Sequence, residues 1–228
     1  METELAPWTA TNVLRAAELL RAGQLVAFPT ETVYGLGARA DSAAAVRRIF
    51  AAKGRPEGRP LILHLGRLED ALGLVAHWPE QAERLARHFW PGPLTLVLER
   101  SAAVIDEVVA GGRTVALRMP AHPAAIELLA RCAFPLAAPS ANLFGAVPPR
   151  SGVEVLAGLG GRIPFVLDAG SVNEREHEGD EEPGSASGGS ASQPALGSTI
   201  LDLTRRPAVV LRHGALPVSE LVGLVEIA

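Results

Sequence analysis

The sequence predicts an α/β fold built around a large twisted, mixed sheet. Short apolar, strand-like runs recur at 25–28, 61–65, 94–99, 115–119, 136–138, 165–168, 199–203 and 209–212. Helical spacing of apolar residues fills many of the gaps between them, and such mixed alternation argues for helices flanking a sheet whose neighbouring strands need not all be parallel. The chain has 228 residues, 48% hydrophobic and 20% charged, which is enough apolar material to bury a proper core.

Thr9 or Thr11 caps a first helix that runs to about residue 22, with Val13, Leu14, Ala17 and Leu20 on one side and Gly23 closing it. The strand 25–28 stops at Pro29, and the stretch 30–37 is expected to be a loop. Asp41 or Ser42 then caps a second helix that places Val46, Ile49 and Phe50 on one face and ends near Lys53. Further helices are expected at 69–76, 80–89, 123–132, 152–159 and 218–225. In Trp90-Pro91-Gly92-Pro93-Leu94-Thr95 the Pro-Gly-Pro run forces a tight turn into a strand, with Trp90 packed beneath it.

Charge is unevenly spread. The formal net charge is -4, but Glu174, Glu176, Glu178, Asp180, Glu181 and Glu182 fall in one stretch, outside which 20 basic residues meet 19 acidic ones. That balance lacks the basic excess of a dedicated nucleic-acid binder. The stretch 172–195 is acidic and then Gly/Ser-rich, with little to bury, and is expected to be a disordered insertion in a single domain spanning 1–228. One cysteine, Cys132, excludes an internal disulfide and a Cys-rich zinc site. No apolar run reaches a membrane span, and Glu2 and Glu4 do not make a signal-peptide start, so the expected compartment is the cytoplasm, without a membrane partner.

Several catalytic signatures are missing. There is no GxxxxGK[ST] loop, no GxGxxG after a strand and no HExxH, Ser140 lies outside any GxSxG elbow, and the scattered histidines lack metal-ligand spacing, so no protein-bound metal is expected. What stands out is Lys53, the only lysine against twenty arginines, in Lys53-Gly54-Arg55-Pro56. An ammonium is a compact point charge that a planar guanidinium does not replace beside a phosphate. Other polar residues gather where strands end: Thr30, Thr32, Arg55, Arg59, His64, Thr114, Arg118, Ser140, Asn142, Ser198 and Arg212. Ligand sites of open α/β sheets collect at strand ends, and five cations with hydroxyls and an amide suit a polyanion. Each also has a plain structural reading, such as a core histidine for His64 or a turn for Asn142.

Five ordered blocks then carry a resemblance. They are Phe28-Pro29-Thr30-Glu31-Thr32-Val33-Tyr34-Gly35-Leu36-Gly37; Lys53-Gly54-Arg55-Pro56 with Pro60-Leu61; Trp90 to Thr95; Arg118-Met119-Pro120; and Ala138-Pro139-Ser140-Ala141-Asn142. Ser198-Thr199 and Arg212 lie beyond them. Together they resemble the YrdC/Sua5 family of threonylcarbamoyl-AMP synthases in its short, single-domain form, whose KxR...SxN set is matched by Lys53, Arg55, Ser140 and Asn142.

The resemblance implies a YrdC-like twisted sheet with a concave, locally positive central cavity. It implies a nucleotidyltransferase that makes threonylcarbamoyl-adenylate and pyrophosphate from L-threonine, bicarbonate and ATP, for the t6A modification of tRNA. By the family's pattern Lys53, Arg55, Ser140 and Asn142 hold the triphosphate and the reacting carbamate, and Arg59, Thr114 and Arg212 assist with the nucleotide. Arg118 takes the threonine carboxylate fork to fork, with Thr32, His64, Ala138 and Ser198 around the rest. Mg2+ is held mainly by the ATP phosphates, and the expected partners are tRNA and a downstream threonylcarbamoyl transferase complex. Three positions depart from the pattern: Phe144 and Pro148 replace usual serines, and Gly197 replaces a usual glutamate. The chain is also expected to lack the C-terminal domain of the longer Sua5 type. Two alternatives share the fold: an RNA-binding or ribosome-maturation module using the same concave surface, and the carbamoyl-adenylate chemistry of hydrogenase maturation.

Overall fold

The computed structural model describes residues 2–172 and 196–228. Among them ten strands form one sheet in the order β1-β8-β2-β3-β7-β4-β6-β5-β9-β10. In chain order these are β1 (Glu4–Pro7), β2 (Val26–Pro29), β3 (Tyr34–Arg39), β4 (Ile62–His64), β5 (Leu94–Glu99), β6 (Thr114–Arg118), β7 (Leu136–Ala137), β8 (Phe165–Asp168), β9 (Thr199–Asp202) and β10 (Val209–Arg212). The helices are α1 (Ala10–Arg21), α2 (Ala43–Lys53), α3 (Glu80–Phe89), the single turn α4 (Asp106–Val109), α5 (Pro123–Cys132) and α6 (Gly152–Leu159). The sheet is mixed. β8 runs parallel to both β1 and β2, β4 to β6 and β5 to β9, whereas β2/β3, β3/β7, β4/β7, β5/β6 and β9/β10 are antiparallel.

Side chains alternate across a strand, and here that alternation makes two cores. Val26 and Phe28, Leu136 and Ala138, and Phe165 and Leu167 point to one face, where α1 and α5 cover them with Val13, Leu20, Leu128 and Leu129. The intervening Ala27, Ala137 and Val166 join the other core, with Val46, Ile49 and Phe50 of α2 and Val155 of α6. Local chemistry starts and stops the helices. The Thr9 hydroxyl accepts from the Asn12 N–H to begin α1, and Ser42 does the same for α2 from Ala45. Gly54, at φ 58 in the left-handed region, ends α2 immediately after Lys53 and turns the chain toward Arg55.

The expected loop at 30–37 is half strand. Tyr34–Arg39 pairs antiparallel with β2 in the register Val26 to Gly37 and Phe28 to Gly35. Its two glycines hide the strand signal, and packing explains one of them: a Cβ on Gly37 would lie 2.9 Å from the Phe28 ring. β1 is too short to declare itself and becomes a strand by adding to the edge of β8. The helices expected at 69–76 and 218–225 shrink to the 3-10 turns Leu68–Ala71 and Val218–Leu221. Of the expected insertion, Val172 belongs to the packed structure: it is buried and its N–H donates to the Arg150 carbonyl at 2.8 Å. Residues 173–195 lie outside the described residues. Among the described residues no helix is long and apolar enough to cross a membrane.

Candidate functional site

A cavity of about 520 Å³ opens where the expected strand ends converge. The β2–β3 turn supplies Thr30, Thr32 and Val33; the approach to β4 supplies Arg55, Pro60 and Leu61, and β4 itself His64. Arg118 closes β6, Ala138 to Ser140 follow β7, Gly197 and Ser198 precede β9, and Arg212 ends β10. Register brings two of these side by side, because His64 lies opposite Arg118 in the parallel β4/β6 pair. Three arginines and no carboxylate line the cavity among the described residues, so the lining carries net positive charge.

Lys53 does not line the cavity; it stands behind the wall. Its buried ammonium donates to the carbonyls of Ser140 and Asn142, each at 2.5 Å, and the Phe144 N–H donates back to its carbonyl at 2.9 Å. The end of α2 is thereby tied to the loop that carries Ser140. An ammonium has three donors, so one N–H has no partner among the described residues. Burial, and next the nearby Arg55 charge, push its pKa down to about 8. Asn142 also lies outside the lining: its amide N–H groups hold the Leu143 and Ala146 carbonyls, and its buried Oδ1 has no partner. Arg55 faces the cavity, donates to the Pro60 carbonyl at 3.2 Å and keeps a buried, unpartnered Nε, its pKa lowered by burial and then by Arg59.

Among the residues expected around the amino acid, His64 is buried with its Nδ1 unpartnered. Burial, then the charge of Arg118, depress its pKa to about 3, so the imidazole is neutral at physiological pH. Arg118 is held by protein on two edges: Nε donates to the Gly92 carbonyl at 3.3 Å, and Nη2 donates to Glu31 at 2.7 Å and Thr32 at 3.1 Å. The expected fork-to-fork grip on a substrate carboxylate is therefore not free while Glu31 holds Nη2. The Ser198 hydroxyl shares a hydrogen bond with Thr95 at 2.7 Å and accepts one from Arg212 Nη2 at 3.0 Å. Arg212 also donates from Nε to the Ser198 carbonyl, and its pKa is lowered by burial and then by Arg118.

Two expected nucleotide residues lie elsewhere. Arg59 sits outside the lining, its guanidinium 5.1 Å from the Phe144 ring centre in a cation–π contact that links the 54–61 and 142–149 loops. Thr114 does not line the cavity; it opens β6 opposite Glu99, at the far end of the strand from Arg118. The departures have local explanations. Pro148 lines the cavity without a hydroxyl, and Gly197 makes room for Arg212, whose Nη2 would be 2.9 Å from a Cβ there. Sequence reasoning missed Glu31 and Thr95 as partners of Arg118 and Ser198. Glu31 stood in the first block, between two threonines already singled out, and an acid there was the available signal.

Comparison with known proteins identifies relatives of the chain. The Sua5/YciO/YrdC model, described as "Telomere recombination", matches residues 18–179. A threonylcarbamoyl-AMP synthase of Pyrococcus abyssi is 45% identical over 206 residues, covering 90% of this chain and 55% of that protein. The Bacillus subtilis threonylcarbamoyl-AMP synthase is 47% identical over 160 residues, 70% of this chain and 46% of that protein. The chain thus spans about half the length of these curated relatives. The crystal structure of P. abyssi Sua5 complexed with L-threonine superposes with a TM-score of 0.86 at 40% identity, covering 99% of this chain and 63% of that one. On these grounds, and on a mixed sheet with two helical layers that matches the solved Sua5 fold, the chain belongs to the Sua5/YciO/YrdC family.

Proposed function

We propose that the chain is an L-threonylcarbamoyladenylate synthase, a nucleotidyltransferase. The observation that carries the reading is one cavity lined together by Arg55, Ser140, Arg212, Thr32, His64, Arg118 and Ser198, with three arginines and no carboxylate among the described residues. In the reaction the threonine amine takes up carbon dioxide from bicarbonate to give a carbamate. A carbamate oxygen attacks the α-phosphorus of ATP, the bond to the β-phosphate breaks, and pyrophosphate leaves. Both reactants are anions, so the catalytic task is alignment and charge neutralisation rather than covalent help. Arg55 and Arg212 neutralise phosphate oxygens, Lys53 braces from behind the wall the loop that presents Ser140, and Arg118 holds the amino-acid carboxylate through Nη1.

The cavity offers no carboxylate among the described residues, so its donor set does not fit a protein-held magnesium ion. Mg2+ belongs to this scheme as part of the nucleotide substrate, carried on its phosphates. The product is a mixed anhydride, an activated carbamate suited to a transferase that modifies tRNA in the cytoplasm. Pyrophosphate release by the full chain tests the reading: release is expected only with ATP, L-threonine and bicarbonate together, and release indifferent to threonine overturns it.

A further inference from the structure

Hydrogen counting around Arg118 assigns a role to a residue that does not itself line the cavity. A guanidinium has five N–H donors. Among the described residues the Arg118 Nε–H goes to the Gly92 carbonyl and the two hydrogens of Nη2 go to Glu31 Oε1 and Thr32 Oγ1, which leaves the two on Nη1. Glu31 is itself anchored on the other side, where its Oε2 accepts the Ala121 N–H at 3.0 Å. The ion pair is well shielded, with Arg118 5% and Glu31 22% exposed, so removing the acid leaves a desolvated cation without its partner.

The same count fixes the polarity of Thr32. Thr30 Oγ1 lies 2.6 Å from the Val33 carbonyl, which accepts only, so the Thr30 hydrogen is spent there. The 2.9 Å contact between the two threonine hydroxyls then has Thr32 as donor. Thr30 Oγ1 also accepts the Thr32 and Val33 N–H groups at 3.3 Å; with its own hydrogen toward Thr30 and one lone pair taken by Arg118 Nη2, Thr32 Oγ1 keeps one lone pair, on a buried residue that borders the cavity.

We propose that Glu31 is a positioning residue of the amino-acid subsite: by holding Nη2 it turns Arg118 so that only Nη1 meets the substrate carboxylate, and it keeps Thr32 as a hydrogen-bond acceptor beside it. The pair reads a carboxylate flanked by an N–H or O–H donor, which is the chemistry of an α-amino acid, threonine among them. This rests on the proposed function, in which threonine is the amino-acid substrate.

The test is calorimetric titration of the full chain with L-threonine, without nucleotide, alongside steady-state kinetics, for Glu31→Gln, Glu31→Ala and Glu31→Asp. Glutamine keeps the size but sets an amide N–H against either Arg118 or the Ala121 N–H. Threonine affinity is expected to fall about tenfold or more in the Gln and Ala variants, the Asp variant recovering part of it. The KM for threonine is expected to rise by the same factor while that for ATP stays within about twofold. Unchanged threonine affinity in Glu31→Gln, or equal losses for threonine and ATP, overturns the assignment. A wild-type chain that binds threonine through a Glu31-dependent site but releases no pyrophosphate overturns the proposed reaction and leaves the clamp standing; one that does not bind threonine overturns both.

Discussion

Lys53 shows how a residue can be singular in composition and doubly used in structure. Two of its three donors brace the loop bearing Ser140, and its charge lies just behind the cavity wall. Burial depresses its pKa to about 8, so the ammonium is the form present below that pH and is lost as pH rises through it. In the free enzyme kcat/KM is therefore expected to fall above pH about 8, read from a pH–rate profile. Lys53→Arg keeps the charge but brings a planar fork into a space where the two carbonyls are 2.5 Å from a single nitrogen. Its turnover is expected to drop about 100-fold or more, the cost of misplacing a reacting group. Near-normal turnover would reduce Lys53 to a structural brace.

Elements place these residues through close backbone approaches. β3 lies beside β2 because Gly37 leaves the Phe28 ring somewhere to rest, and that pairing sets the turn that carries Thr30 and Thr32. The ring is fully buried and cannot swing away as a flexible tip would. Gly37→Ala puts a methyl 2.9 Å from it and is expected to destabilise the chain by about 1–3 kcal/mol, read as a lower denaturant midpoint at unchanged slope. A midpoint equal to wild type would mean that the β2–β3 pair tolerates a shift the packing argues against.

Across the whole molecule, the cavity exists because distant segments end on one side of the sheet. Arg55, Arg118 and Arg212 come from the approach to β4, from β6 and from β10, and no described acid lines the space between them. A polyphosphate entering such a lining gains from its field, and added salt screens that gain. The KM for ATP is expected to rise several-fold between about 0.05 and 0.5 M NaCl, with the Debye length shrinking from about 14 to 4 Å, and to rise more than the KM for threonine. Equal salt dependence of the two would place the nucleotide outside the arginine-lined cavity.

Much of the architecture was legible in order along the chain. The helices 80–89, 123–132 and 152–159 appear with the same bounds, because each joins an apolar face to a clear start signal or stop. The segments 69–76 and 218–225 tighten to short 3-10 turns, since their apolar spacing cannot reveal how little sheet lies beneath them. For the site, the blocks around Lys53, Arg118 and Ser140 announced chemistry by residue type alone, since ammonium, guanidinium and hydroxyl beside strand ends suit anions in any fold. Only tertiary structure decided which of them face the ligand. Nine of the candidates line the cavity, whereas Lys53 and Asn142 stand behind its wall, Arg59 stacks on Phe144 and Thr114 sits at the other end of β6. The physical reason is that donors are finite and strands have two ends. A sequence states which groups are present, but folding decides which hydrogens the protein itself uses, as it does when Glu31 takes Nη2 of Arg118 and leaves Nη1 without a partner among the described residues.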